Sequence, residues 1–260
     1  MSTTPLEQHD DDKRMELSEH LAELRTRIMR SILYVVVASG LSYYGVRPIY
    51  DFFYQPMDRA LKGSHIEFKI VFPHFTEAFF VVLQICVVAG LLIVSPLVIL
   101  EMWGFIRPAL TRKERRPLRW IVPMSIVLFI SGASLAYWVA QYAMNWFIGY
   151  VKLFPEAVLY QDPRTYVLFV LKLMAIFGVV FQLPLALMFL AWAGLLKSQT
   201  MKQYWRHAIV GIAFGGLMVT PSNDVFTMLM MVIPVFTLYL GSIGLVQIME
   251  RSRMKRASDA

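Results

Sequence analysis

Two glutamates occupy positions where a carboxylate could bind a cation. Glu114 lies in the stretch FIRPALTRKERR, residues 105–116, between two long apolar blocks. Six cationic side chains flank it in the sequence: Arg107, Arg112, Lys113, Arg115, Arg116 and Arg119. Glu23 lies in LSEHLAELRTRI, where Arg27 follows four residues later and can form a helical ion pair worth about 0.2–0.5 kcal/mol. Each carboxylate therefore either balances local charge or binds a cation from outside the chain.

Composition places these residues in a membrane protein. Of the 260 residues, 57% are hydrophobic and 17% are charged. The mean hydropathy of +0.55 is too apolar for an ordinary soluble domain. Apolar runs near the ~20 residues needed to cross a bilayer predict an all-α, polytopic bundle of six transmembrane helices, forming a single membrane domain over residues 1–260. The predicted spans are 29–46, 78–100, 120–142, 166–192, 207–220 and 225–248.

The fifth and sixth spans are predicted to be short. The fifth has about 13 apolar residues from Ala208 to Thr220, which at 1.5 Å per residue cannot cross a hydrocarbon core of ~30 Å. This segment is therefore expected either to lie where the bilayer is thinner or to be a half-span.

Basic residues are distributed unevenly between the spans. Most of the 25 lysines and arginines lie in the N-terminal arm, in the loops 102–119 and 193–206, and in the tail 249–260. By the positive-inside rule, both termini are predicted to be cytoplasmic. The net charge of +7 therefore reflects membrane topology and does not indicate nucleic-acid binding. Because residues 1–27 have the pattern of neither a secretory signal nor a transit peptide, a bacterial cytoplasmic (inner) membrane is predicted.

The predicted cytoplasmic arm, residues 1–28, contains an amphipathic pattern. One face is apolar and recurs at helical spacing through Leu17, Leu21, Leu24 and Ile28. Such a stripe predicts a helix that lies at the membrane surface. His20, Glu23 and Arg27 share the other face of this helix.

The sequence contains no motif for nucleotide hydrolysis, metal-dependent hydrolysis or covalent catalysis. The patterns GxxxxGK[ST], HExxH, CxxC and GxSxG are all absent, and no two of the five histidines have metal-ligand spacing. Lys172 is the one ionisable residue well inside a predicted span, whereas ion-coupled carriers commonly have buried carboxylates paired with cations. The chain is therefore predicted not to be an enzyme, to need no metal or cofactor, and to take energy for transport from another source.

A few polar or small residues within the apolar blocks have two interpretations each. Gln182 lies two residues before Pro184 and can either form an interhelical hydrogen bond or contact a partner. Asp224 can cap the last span or serve a function of its own. Gly211 and Gly215 form a GxxxG pattern, which permits close helix contact.

Five motifs together resemble TatC, the multi-spanning subunit of the twin-arginine protein translocase. They occur in the family's order over about residues 17–247 and include both glutamates. The motifs are HLAELRTR at 20–27, WGFIRPALTRKERR at 103–116, GASLAY at 132–137, FGVVFQLPL at 177–185 and TPSNDVF at 220–226.

The resemblance implies that the cytoplasmic face recognises the paired arginines of a folded precursor's signal peptide. Glu23 and Glu114 would bind the arginines, and other matching residues would shape the site: His20, Leu24, Arg25, Phe105, Pro108, Leu110 and Arg115. Pro56, Gln182 and Asp224 also match family positions, although the position of Gln182 is a glutamate in some members. The resemblance further implies transport driven by the proton-motive force, assembly with the single-span TatA- and TatB-type subunits, and self-association.

The chemistry of the arginine side chain agrees with this role. A guanidinium is planar and always charged, so two adjacent arginines need two carboxylates that converge on one face. The surrounding cations would repel other basic peptides and attract lipid phosphates. Two other functions remain open from the residues alone: a small-solute secondary transporter, and a scaffold or insertase that binds apolar segments.

Overall fold

The computed structural model describes residues 17–62, 68–72, 74–106, 118–154, 156, 158–219 and 225–258. The helices in these ranges are α1 (Leu17–Tyr44), α2 (Val46–Lys62), α3 (Glu77–Ile106), α4 (Leu118–Val151), α5 (Pro163–Val180), α6 (Leu183–Trp192), α7 (Ser198–Gln203), α8 (Trp205–Val219) and α9 (Val225–Ser258). Two three-residue strands, β1 (Phe68–Ile70) and β2 (Leu159–Gln161), complete the described elements.

The long helices run back and forth, so each end of the bundle brings together residues distant in sequence. Arg27 near the start of α1 contacts Glu101 near the end of α3. We call this the amino-terminal end of the bundle. At the opposite end, Glu77 at the start of α3 lies 3.6 Å from Arg164 at the start of α5.

The first predicted span, 29–46, is part of a longer helix. Because α1 is continuous from Leu17 to Tyr44, residues 17–28 do not form a separate surface helix. Leu21 and Ile28 of the expected apolar stripe are exposed, whereas the polar face packs against α3. At Gly45 the chain turns by 87° into α2, an element that hydropathy did not predict.

The fourth predicted span, 166–192, is broken into α5 and α6. Asp162 caps α5 by accepting a hydrogen bond from the backbone amide of Arg164 at 2.9 Å, and Pro163 occupies the first helical turn. Pro184 has no amide hydrogen to donate to the preceding turn, so the helix ends at Val180 and begins again at Leu183.

Not every predicted span is a helix of full length. Among the described residues, four helical stretches are long and apolar enough to cross a membrane, and the bent pair α1–α2 would make a fifth. The predicted fifth span is α8, whose 15 residues rise about 22 Å, in agreement with the expected short helix. The predicted sixth span is not short: α9 has 34 residues, because the helix continues past 248 into polar residues that favour helix formation.

Two glycines let α4 and α5 approach closely. A Cβ at Gly132 would lie 2.6 Å from the backbone oxygen of Phe177, and one at Gly178 would lie 2.5 Å from the ring of Phe129. The motifs GASLAY and FGVVFQLPL therefore contact each other. Around them lies the largest apolar core, to which α2 contributes Phe53, Met57 and other buried residues.

The all-α prediction did not include the short strand pair at the opposite end of the bundle. β1 and β2 pair in parallel, with Phe68 opposite Leu159 and Ile70 opposite Gln161. Three residues per strand are too few for a periodic hydrophobic pattern, so no feature of the sequence indicated this pair.

We expect Gly132→Ala to destabilise the protein by about 1–3 kcal/mol, because a backbone oxygen cannot move away from the added methyl group. Thermal unfolding in detergent measures the effect. Gly149→Ala is the matched control, since it lies on the same helix and a Cβ there would have no described neighbour within 4 Å. Equal unfolding temperatures for the two variants would contradict a tight α4–α5 contact.

Candidate functional site

The polar face of α1 packs against the end of α3 at the amino-terminal end of the bundle. His20, Glu23 and Arg27 are spaced at three and four residues, so they project from one side of the helix. From α3, Glu101 and Phe105 face them. We call these five residues the Arg27 cluster.

Arg27 links two carboxylates in this cluster. Its Nε and Nη2 both donate to Oε1 of Glu23, at 2.9 and 2.7 Å. Its Nη1 donates to Oε2 of Glu101 at 2.9 Å. The hydroxyl of Tyr34 donates to the other Glu101 oxygen at 3.2 Å. One guanidinium therefore connects α1 to α3, and both oxygens of Glu101 are occupied.

Glu23 keeps one oxygen without a hydrogen-bond partner among the described residues. This oxygen, Oε2, is buried and lies 4.0 Å from Nδ1 of His20. The ring of His20 stacks on Phe105 with centroids 4.3 Å apart, which fixes its position beside Glu23. Within the cluster, two carboxylates therefore share one guanidinium.

Gly104 provides the space for the Arg27 guanidinium. A Cβ at this position would overlap Nη1 of Arg27. The small residue in the WGF sequence therefore has a packing reason, which is to let the guanidinium lie against the backbone of α3.

The predicted site residues are only partly within the described structure. His20, Glu23 and Phe105 come together, as the sequence analysis expected of one site. On the same helix, Leu24 is half-buried and Arg25 is exposed. The remaining predicted binding residues lie outside the described residues: Pro108, Leu110, Glu114 and Arg115.

Sequence reasoning missed Glu101 and Tyr34. Glu101 directly follows the predicted span 78–100, and a lone carboxylate at the end of an apolar run was the signal available. A pairing between residues 74 positions apart, however, requires the helices to be placed side by side. The expected Glu23–Arg27 ion pair is present, but Arg27 also pairs with Glu101.

Gln182 forms an interhelical hydrogen bond, which is one of its two interpretations. Its Nε2 donates to the backbone oxygen of Ser125 on α4 at 3.0 Å and lies 3.4 Å from the carbonyl oxygen of Gly178. The Gly178 oxygen is accessible because the Gln182 amide bonds to Val179 instead at the helix break. A side-chain amide thus supplies a donor where Pro184 interrupts the helix.

The structure describes three of the four other predicted residues, and the role of Asp224 stays a prediction. Pro56 lies buried within α2, and Asp224 is outside the described residues. Gly211 and Gly215 do not contact another described helix, since a Cβ at either position would have no described neighbour within 4 Å. Instead they line an open apolar groove of about 400 Å³ between α5, α8 and α9.

A second carboxylate contact, also unpredicted, joins the end of α9 to α7. Glu250 accepts a hydrogen bond from the backbone amide of Ser198 at 2.9 Å and another from its hydroxyl. Because Ser198 begins α7, the carboxylate satisfies an amide that the helix leaves unpaired.

In the part of the chain that the structure describes, no group of three or more His, Cys, Asp or Glu side chains is arranged to hold a metal ion. The Arg27 cluster is instead built from carboxylates, one guanidinium and aromatic rings. This combination is suited to binding a further organic cation.

The fold defines a polytopic helical membrane protein, and the Arg27 cluster joins two of its helices at one end of the bundle. The family model for the Sec-independent protein translocase protein TatC matches residues 19–234. This chain belongs to the TatC family and is a subunit of a Sec-independent protein translocase. The family assignment decides against the solute-carrier and scaffold alternatives.

Individual relatives agree with this assignment. The chain is 31% identical to the TatC protein of Koribacter versatilis, over 95% of this chain and 92% of that one. It is 32% identical to the TatC protein of Aquifex aeolicus, over 92% and 98% of the two chains. A crystal structure of the twin arginine translocase receptor TatC superposes with a TM-score of 0.77 at 31% identity, covering 88% of this chain and 98% of that one.

We expect Arg27→Gln to lower the free energy of unfolding by about 1–3 kcal/mol, because two half-buried carboxylates would lose their shared cation. Arg30→Gln, at an exposed position on the same helix, is the matched control and should change stability by less than about 0.5 kcal/mol. Unfolding in detergent at low ionic strength measures both. If Arg27→Gln unfolded like the wild type, Arg27 would not join α1 to α3.

Proposed function

We propose that this protein recognises twin-arginine signal peptides at the amino-terminal end of its bundle. With single-span partners, it would export folded proteins across the bacterial cytoplasmic membrane, driven by the proton-motive force. Both termini would be cytoplasmic, so the Arg27 cluster would face the compartment in which precursors are made.

The observation that carries this proposal is Oε2 of Glu23, a buried oxygen that has no hydrogen-bond partner among the described residues. A buried carboxylate oxygen without a donor costs about 1–3 kcal/mol, and an incoming guanidinium would recover this free energy. The side chain of His20, which is 29% exposed, is the group that would move to admit the ligand.

Glu114 is proposed as the second carboxylate. The segment that contains it connects the end of α3, next to Phe105, to the start of α4. Phe105 stacks on His20, which lies beside Glu23. Two adjacent arginines would then each meet one carboxylate, while Leu24, Arg25, Pro108, Leu110 and Arg115 would shape the peptide path.

The groove lined by Gly211 and Gly215 is proposed as the contact for a TatA- or TatB-type helix. Its walls are apolar, and the absence of Cβ atoms lets another helix approach closely. The shortness of α8 would thin the bilayer locally and lower the cost of passing a folded protein.

The recognition proposal predicts that Glu23→Gln and Glu114→Gln each reduce cross-linking to a twin-arginine signal peptide by about tenfold, because each removes one charge-assisted contact. Membrane abundance of both variants should be unchanged. The matched ligand control is the same peptide with two lysines in place of the arginines. Equal cross-linking of the two peptides to wild-type protein would rule out arginine recognition.

The partner proposal predicts that Gly211→Leu reduces co-purification of the single-span subunits, because the side chain fills the groove. Unfolding of the isolated variant should match the wild type. Gly241→Leu is the control, since Gly241 is also open but lies outside this groove. Unchanged co-purification with Gly211→Leu would exclude the groove as the contact.

A further inference from the structure

We infer that Glu101 is a positioning residue for arginine recognition, acting through Arg27. This inference rests on the proposed role of Glu23 in binding a signal-peptide arginine. It assigns to Glu101 and Arg27 the task of keeping one oxygen of Glu23 available to the ligand.

The hydrogen-bond geometry of Arg27 carries the inference. A free arginine paired with a glutamate commonly places two nitrogens on two different carboxylate oxygens. Here Nε and Nη2 both bond to Oε1 of Glu23, while Nη1 is held by Glu101 on the other helix. The guanidinium is thereby turned so that it does not cover Oε2 of Glu23.

Two further contacts hold this geometry. The hydroxyl of Tyr34 occupies the second oxygen of Glu101, which fixes the carboxylate from the side of α1. Gly104 leaves room for Nη1 of Arg27 against α3. Glu101 is 13% exposed and Glu23 is 18% exposed, so water competes only weakly for these contacts.

Without Glu101, Arg27 would be free to rotate onto both oxygens of Glu23. The resident arginine would then occupy the place that the ligand needs. Glu101 therefore prevents Arg27 and Glu23 from forming a closed internal ion pair. It leaves one oxygen of Glu23 available to accept from a second guanidinium.

The first test asks whether the position of the Glu101 carboxylate matters when its negative charge is kept. Glu101→Asp keeps the negative charge but is one methylene too short for the 2.9 Å contact with Arg27. We expect it to weaken binding of a synthetic twin-arginine signal peptide to the full-length protein in nanodiscs by about tenfold. Glu19→Gln, at an exposed glutamate on α1, is the control and should bind as the wild type does.

A double-variant cycle shows whether Glu101 acts through Arg27. In protein that already carries Arg27→Gln, Glu101→Asp should leave peptide affinity unchanged, because no guanidinium remains to be positioned. The same fold loss in both backgrounds would overturn the inference, since Glu101 would then act on the peptide directly or on the charge of the site.

Gly104→Ala provides an independent test that changes no charge. The added methyl would displace Nη1 of Arg27, and affinity for the twin-arginine peptide should therefore fall. Unaltered twin-arginine affinity in both Glu101→Asp and Gly104→Ala would overturn the inference.

Glu23→Gln distinguishes the positioning role of Glu101 from arginine recognition by Glu23. If this variant loses binding but Glu101→Asp and Gly104→Ala bind normally, the positioning role is wrong and recognition by Glu23 stands. If Glu23→Gln also binds normally, the proposed function is wrong and the positioning role falls with it.

Discussion

The ion pair between Arg27 and Glu101 is the interaction on which the amino-terminal end of the bundle depends. Helices in a bilayer gain little from apolar contact with each other, because lipid is equally apolar, so polar contacts decide which faces meet. Arg27 is held by Glu23 from its own helix and by Glu101 from α3, and this arrangement turns the polar side of α1 inward. The apolar side chains of Leu21 and Ile28 are then exposed on the outside of the bundle.

Elsewhere in the bundle, close backbone contacts replace charge as the means of joining helices. Gly132 and Gly178 bring α4 against α5, and the approach puts Gln182 within reach of the Ser125 carbonyl. The break before Pro184 would leave a carbonyl unsatisfied in an apolar environment, and the Gln182 amide offers it a donor. Because an amide is neutral, this contact needs no counter-ion inside the bilayer, which a glutamate at the same position would require.

The class of fold and part of the site could be predicted from the sequence. Hydropathy located the apolar helices, since burial in lipid requires long apolar runs whatever the tertiary contacts are. It missed α2, whose polar residues resemble those of a loop, and the β1–β2 pair, which is too short for any periodicity. The motifs predicted Glu23 and His20 as site residues, and the structure places them together, but Glu101 became a candidate only once α3 lay beside α1. Contacts between distant residues depend on helix placement, which a single sequence does not encode locally.

Oε2 of Glu23, which accepts no hydrogen bond from the part of the chain that the structure describes, would affect selectivity between arginine and lysine. An ammonium is a compact charge with three donors that would satisfy Oε2 from any direction. A guanidinium can donate to Oε2 with one edge and keep its other nitrogens for a second carboxylate. Because Arg27 already occupies Oε1 with two nitrogens, an incoming guanidinium would meet Oε2 beside the stacked rings of His20 and Phe105. Shape and hydrogen bonding would therefore discriminate where charge alone does not, and the discrimination would be lost if the resident arginine covered both oxygens.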